Sequence, residues 1–331
     1  MLTDNPPKVS KRPAGRDRVE LFASGNKGRW GSRIFSGLSH GAGIFILIVL
    51  AAVAAFLVKE AWPAITAPTE ELQQISWFKA DSLMGYIAPL VFGTLLSSIL
   101  ALVIAVPLSI GIALFISHYA PRRLAQSLGY IIDLLAAIPS VVYGLWGALW
   151  LLPILDPVFK WLTNNLGFIP LFADYQAPAK NVLAASTVLA VMILPIITAV
   201  SREVFLQTPR LHEEAALALG ATRWELIRMA VLPFGRSGVI SAAMLGLGRA
   251  LGETMAVLMV ISPGFLFSFF LLKPGQHQTI AANIAAQFPE ASGLSVSVLI
   301  ATGLALFVFT FLVNMAARAI IARRKDFSGA N

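Results

Sequence analysis

The chain has 331 residues, of which 57% are hydrophobic and only 13% are charged. Soluble domains carry about 25% charged residues, so a water-facing globule is excluded and the bilayer is the natural solvent. There is no cysteine, which removes disulfides, thiolate metal sites and cysteine nucleophiles; the net charge of +8 reads as membrane topology and not as a surface for nucleic acid.

Residues 1–33 are polar and basic, running from Lys8 through Arg16 and Arg18 to Arg33. The stretch is too long for the charged start of a signal peptide, and it is expected to be a cytoplasmic tail. A spanning helix takes about 20 mainly apolar residues. Charge-poor runs place spans near 38–58, 88–117, 127–152, 182–200, 237–262 and 294–317. Together they form a permease domain over 34–325, with a short C-terminal tail at 326–331. With both termini inside, nineteen of the 25 Lys and Arg fall on the cytoplasmic side and five outside, Arg249 lying within a span. That bias sets the orientation.

The outer segments, roughly 59–85, 153–180 and 263–293, are too long to be turns and are rich in Pro, Trp and Gly. They are expected to cap the bundle or to dock a soluble partner. In the third run, Ile138-Pro139-Ser140-Val141-Val142-Tyr143-Gly144 is a broken-helix signal, which inside a membrane must be satisfied by protein or water. Pro139, Ser140 and Tyr143 are candidate path-lining positions. Asp133 reads as an acid in the first turn of a helix.

The inner segment 201–236 changes character. Thr208-Pro209 has the form of a helix start, and Gly220 that of a left-handed helix end. Thr222-x-x-Glu225 is a capping box, and Pro233 is expected to stop the second helix. Two short helices with a sharp bend are too short to stand alone in water and must pack on something. Glu213, Glu214, Ala215, Ala216, Gly220, Thr222 and Pro233 are therefore candidate residues of a rigid element over 208–233 that meets a cytoplasmic partner.

In the fifth run, Arg249 and Glu253 stand four residues apart, which on a helix puts them on one face. Each charge at mid-membrane costs roughly 2.5–3.5 kcal/mol, so this helix is expected to face the bundle interior. There the glutamate would hold the guanidinium, and Gly246, Gly248 and Gly252 would allow close approach. The guanidinium fork suits an oxyanion, so Arg249 and Glu253 are the candidate substrate path. The Gly-rich run follows no strand and is not a nucleotide fingerprint; the chain also lacks the G-x4-G-K-[ST] cradle for ATP. The four histidines have no paired spacing, and no metal site or catalytic residue is assigned.

The pattern Glu214-Ala215-Ala216, Gly220, Leu232-Pro233 resembles the coupling loop of ABC-importer permeases. Adding Tyr119 to Arg123, Ile138 to Gly144 and Gly246 to Met255, the sequence resembles the PstC family of phosphate-transport permeases over about residues 30–325. The resemblance implies an all-α polytopic bundle of about six transmembrane helices, of the MetI-like type I importer kind, in a prokaryotic inner membrane. It implies import of inorganic phosphate by alternating access, with Arg249 and Glu253 as the functional charged pair. It also implies a PstA-like sister permease, a PstB-like ATPase dimer carrying ATP and Mg, and an external PstS-like phosphate-binding protein. This chain would then hold no cofactor of its own. A permease for another oxyanion such as sulfate or molybdate, or an ion-gradient-driven secondary transporter, are the rival readings.

Overall fold

The computed structural model describes residues 26–322, with side chains for 33–319. The expected tails at 1–33 and 326–331 fall mostly or wholly outside the described residues. The chain divides into two units, Met1–Phe56 and Leu57–Asn331. In the first, the helix that begins at Asn26 is almost entirely apolar from Gly37 to Phe56 and exposes nearly all of its side chains.

The described residues form an all-helical chain. Ten helices are used below: α1 (Asn26–Thr66), α2 (Leu83–Tyr119), α3 (Arg122–Ala136), α4 (Ser140–Leu166), α5 (Val182–Leu206), α6 (Arg210–Ala218), α7 (Arg223–Leu251), α8 (Met255–Val260), α9 (Ile280–Gln287) and α10 (Leu294–Ala322). Among the described residues, six are long and apolar enough to cross a membrane: α1, α2, α4, α5, α7 and α10.

Within the second unit, α5 is the central post. It packs along α2 and α7, and Ala185, Val188, Leu189, Met192, Ile193 and Ile197 are buried against them. Close approach depends on small residues: a Cβ at Gly246 of α7 would fall 2.7 Å from Cδ1 of Ile197, and one at Gly235 would fall 2.7 Å from the Phe205 ring. Such small-residue contacts let membrane helices associate where no hydrophobic drive separates lipid from protein. A second core joins Ala61 and Ala64 at the end of α1 to Leu72, Phe78, Tyr86, Leu90, Ile280 and Val298.

Two helix bounds differ from expectation, and both differences have a physical cause. The third span is not 127–152 but α4 at Ser140–Leu166. Residues 122–136 instead form the amphipathic α3, because Arg122, Arg123, Gln126 and Asp133 give it a wet face. It lies on α5, where the guanidinium of Arg202 fills the space a Cβ at Gly129 would occupy, 2.2 Å from Nη1. Arg202 also reaches Asp133 at 3.9 Å. Pro139, extended at φ −58° and ψ 139°, separates the two helices. The fifth span likewise runs from Arg223 to Leu251 rather than over 237–262.

Pro233 does not stop a helix; α7 passes through it. A wide π turn at Ile227–Val231 precedes it, and the same arrangement recurs at Gly147–Leu151 before Pro153. In each, the next amide bonds five residues back, Leu232 to Ile227 and Leu152 to Gly147. A proline lacks the N–H and crowds the carbonyl four residues back; widening the preceding turn relieves that crowding and lets the helix continue.

Candidate functional site

Two sequence candidates from separate runs meet in space. The break before α4 and the break after α7 lie together, because α4 packs on α8. A Cβ at Gly144 would fall 2.7 Å from the Cα of Ala256, so backbone runs directly against backbone. Tyr143, 8% exposed, donates its hydroxyl to the carbonyl of Leu135 at 2.8 Å, which pins the end of α3 over the start of α4. Pro139 and Ser140 stand at the N-terminus of α4 as cap and first helical residue, holding Tyr143 one turn further on.

Arg249 and Glu253 are not one turn apart on a continuous helix, as the sequence suggested. The helix ends at Leu251 and Gly252 closes it. Glu253 is 7% exposed, and its Oε1 accepts the amide of Ala256 at 3.0 Å. The glutamate therefore caps α8 and does not hold the guanidinium; among the described residues Arg249 makes no ion pair within 4 Å. The break supplies another form of compensation. Arg249 sits in the last turn of α7, where the negative end of the helix dipole favours a cation, and Glu253 sits at the start of α8, where the positive end favours an anion. The guanidinium, half-buried, keeps its donor fork available to an oxyanion.

The candidate coupling segment is built as a bent, capped unit. Gly220 has φ +83°. Its amide bonds the carbonyl of Leu217 at 2.9 Å, and that of Ala221 bonds Ala216 at 3.1 Å; this is the Schellman closure of α6. Thr222 and Glu225 form the reciprocal box, Glu225 N–H to Thr222 Oγ1 at 3.3 Å and Thr222 N–H to Glu225 Oε2 at 2.8 Å. Thr208 does not cap α6: its hydroxyl donates to the Phe205 carbonyl at 2.9 Å and so finishes α5. Ala216 is buried with Phe205, Leu226, Ile227 and Val231, while Glu214 and Ala215 face outward. Leu211 and Leu219 are 76% and 88% exposed. A capped unit with a buried inner face and bare leucines outside suits a partner's cleft better than water.

Three relationships were not legible in the sequence. Glu213 approaches His118 across the chain; Arg202 lies over Gly129; and Tyr86 and Asn283 exchange hydrogen bonds of 2.8 and 3.1 Å between α2 and α9. Beside the last, the Ile280 amide donates to Thr94 Oγ1 at 3.0 Å, and the carbonyl of Gln278 stands 2.3 Å from where a Cβ of Gly93 would be. The short polar and small residues along α2 (Gly93, Thr94, Ser97, Ser98) were the only hint of that seam.

The comparisons with known proteins agree with this architecture. The family described as binding-protein-dependent transport system inner membrane component matches residues 105–326. The phosphate transport system permease protein PstC 2 of Mycobacterium tuberculosis is 47% identical over 299 residues, covering 88% of this chain and 92% of its own length. The PstC of Xylella fastidiosa strain 9a5c is 39% identical over 327 residues, 96% of each chain. In structure, the chain is similar to a bacterial ABC transporter involved in the import of the acidic polysaccharide alginate, with a TM-score of 0.58 at 16% identity, over 90% of this chain and 98% of that one. The same transporter type in complex with an alginate-bound periplasmic protein gives 0.58 over 95% and 99%. These two carry the fold alone, a polytopic helical bundle, as the resemblance implied. The chain belongs to the family of binding-protein-dependent transport system inner membrane components, in company with the PstC permease proteins.

Proposed function

We propose that this chain is one membrane half of an ATP-driven importer of inorganic phosphate. The observation that carries the reading is Arg249: a guanidinium in the last turn of a membrane span, with its carboxylate neighbour engaged elsewhere, in a chain 47% identical over 299 residues to a phosphate permease. Phosphate oxygens match the planar fork, and a single cation, rather than a closed cage, lets the anion leave.

In this reading the anion arrives from a PstS-like binding protein and passes between this chain and a PstA-like sister. The transporter alternates access as a PstB-like ATPase dimer, holding ATP and Mg, moves the bundle. The exposed outer face of α6, with Glu214, Ala215 and Leu211, enters the ATPase, while Ala216, Gly220, Thr222 and Pro233 keep that element stiff and joined to α7. Both termini face the cytoplasm, in keeping with the Lys and Arg bias. Pro139, Ser140 and Tyr143 line the path beside Arg249.

The test is uptake of labelled phosphate into proteoliposomes holding the complex, with ATP inside or outside and with sulfate or molybdate as competitors. ATP-dependent uptake that excess sulfate and molybdate leave intact is expected. Uptake without ATP, or full displacement by molybdate, would overturn the reading in favour of an ion-gradient transporter or another oxyanion permease. Arg249→Gln should abolish uptake with the complex still assembled.

A further inference from the structure

An open groove of about 550 Å³ lies between α2 and α7, walled by Ile110, Leu232, Pro233, Val239 and Ile240, with Arg236 as its one charged wall residue. This volume is within the range of sites that hold small organic ligands, roughly 300–1,000 Å³. On α7 the groove residues lie nine to seventeen positions before Arg249, on an earlier part of the helix.

Its depth follows from helix length. α2 has 37 residues, about 55 Å at 1.5 Å per residue, against a hydrocarbon core of about 30 Å. Centring the helix leaves about 13 Å beyond the core at either end, and Ile110 stands about 13 Å from the Tyr119 end. With α2 upright and centred in the core, the groove would open at the boundary between acyl chains and headgroups, on the side of the candidate coupling helices.

Arg236 is exposed there and makes no ion pair within 4 Å among the described residues. A bare guanidinium at headgroup level over five apolar walls is complementary to one class of molecule, an amphiphile with an anionic head. We propose that the groove seats an anionic phospholipid, its phosphodiester on Arg236 and one acyl chain along Ile110, Val239 and Ile240. Free inorganic phosphate satisfies only the arginine and gains nothing from the apolar walls, whereas a lipid satisfies both.

The experiment uses the full chain in its complex, extracted into nanodiscs of phosphatidylcholine with a minor share of phosphatidylglycerol, with retained lipid read by native mass spectrometry. The intact complex should retain phosphatidylglycerol over phosphatidylcholine. Arg236→Gln should cut the retained phosphatidylglycerol at least threefold, Arg236→Lys should cut it less, and Ile240→Trp, which fills the groove and keeps the charge, should also reduce it. Equal retention in Arg236→Gln would overturn the proposal, and so would loss of the lipid on adding millimolar inorganic phosphate. The chain lacks cysteine, so Ile240→Cys offers a unique thiol: cross-linking of that thiol to another subunit would show a protein in the groove and refute the lipid. None of these outcomes depends on which solute is transported, so failure here is separate from failure of the phosphate reading.

Discussion

His118 Nε2 stands 3.5 Å from Glu213 Oε1, tying the π turn that ends α2 to the first helix of the candidate coupling segment. The two side chains are 13% and 29% exposed, and Ser117 steadies the ring through a 2.7 Å contact with Nδ1. A displacement of α6 would therefore load the foot of α2 as well as α7, to which it is covalently joined. Glu213→Gln should lower transport per ATP hydrolysed by about twofold with the complex still assembled, since partly exposed pairs contribute only about 1 kcal/mol or less. The measurement is simultaneous uptake and ATPase rate; an unchanged ratio would show that the pair carries no coupling.

A Cβ at Gly144 would meet the backbone Cα of Ala256, which cannot yield as the nearby Met259 Sδ can. Gly144→Ala should destabilise the bundle by about 1–3 kcal/mol, visible as a lower thermal midpoint in detergent and a loss of uptake of at least tenfold. Gly248, with open space around it, is the control: Gly248→Ala should leave the midpoint within error. Equal behaviour of the two variants would mean that α4 and α8 are not in contact.

Glu253 offers a way to separate capping from charge. Glutamine can still accept the Ala256 amide, and alanine cannot. Glu253→Ala should cost about 1 kcal/mol of stability, whereas Glu253→Gln should keep the thermal midpoint. If both variants lose stability alike, the carboxylate charge rather than the cap is what matters, and the hydrogen-bonded arrangement described above is wrong.

Gly220 has room for a Cβ but not the backbone for one. Nothing lies within 4 Å of the added atom, so Gly220→Ala carries only the left-handed strain of about 1 kcal/mol. Gly220→Asn should be better tolerated, since asparagine visits that region more readily. ATPase stimulation by the external binding protein, expected to drop two- to fivefold in the alanine variant and less in the asparagine one, is the readout.

His277 lies between the spans, 2% exposed, with Nε2 on the Ser268 carbonyl at 2.6 Å. Burial pushes its pKa below the ordinary imidazole value. The unfolded chain, with a pKa near 6.5, therefore binds more protons than the folded one in the window below that value. The stability from neutral His277 is present above about pH 6.5 and is lost as pH falls toward the folded pKa. The thermal midpoint should drop between pH 7.5 and 5.5, and the drop should shrink in His277→Gln, which still donates to Ser268 but does not titrate. An identical drop in the variant would put the pH dependence elsewhere.

Composition and charge spacing alone settled that this is a polytopic helical membrane chain. Twenty apolar residues in a row have few other uses, and a capping box or a left-handed glycine acts on its own few neighbours; Thr222, Glu225 and Gly220 therefore stand as their local pattern required. The PstC resemblance was legible for the same reason, being carried by contiguous motifs. The tertiary structure decided what depends on partners distant in the chain. Pro233 looks like a stop until the π turn before it is seen, and residues 127–136 look like part of a span until Arg202 is found lying over Gly129. Arg249 and Glu253 look like an ion pair by spacing, because spacing assumes an unbroken helix. The chain instead breaks at Gly252, and two helix ends, not the two side chains, stabilise the opposite charges.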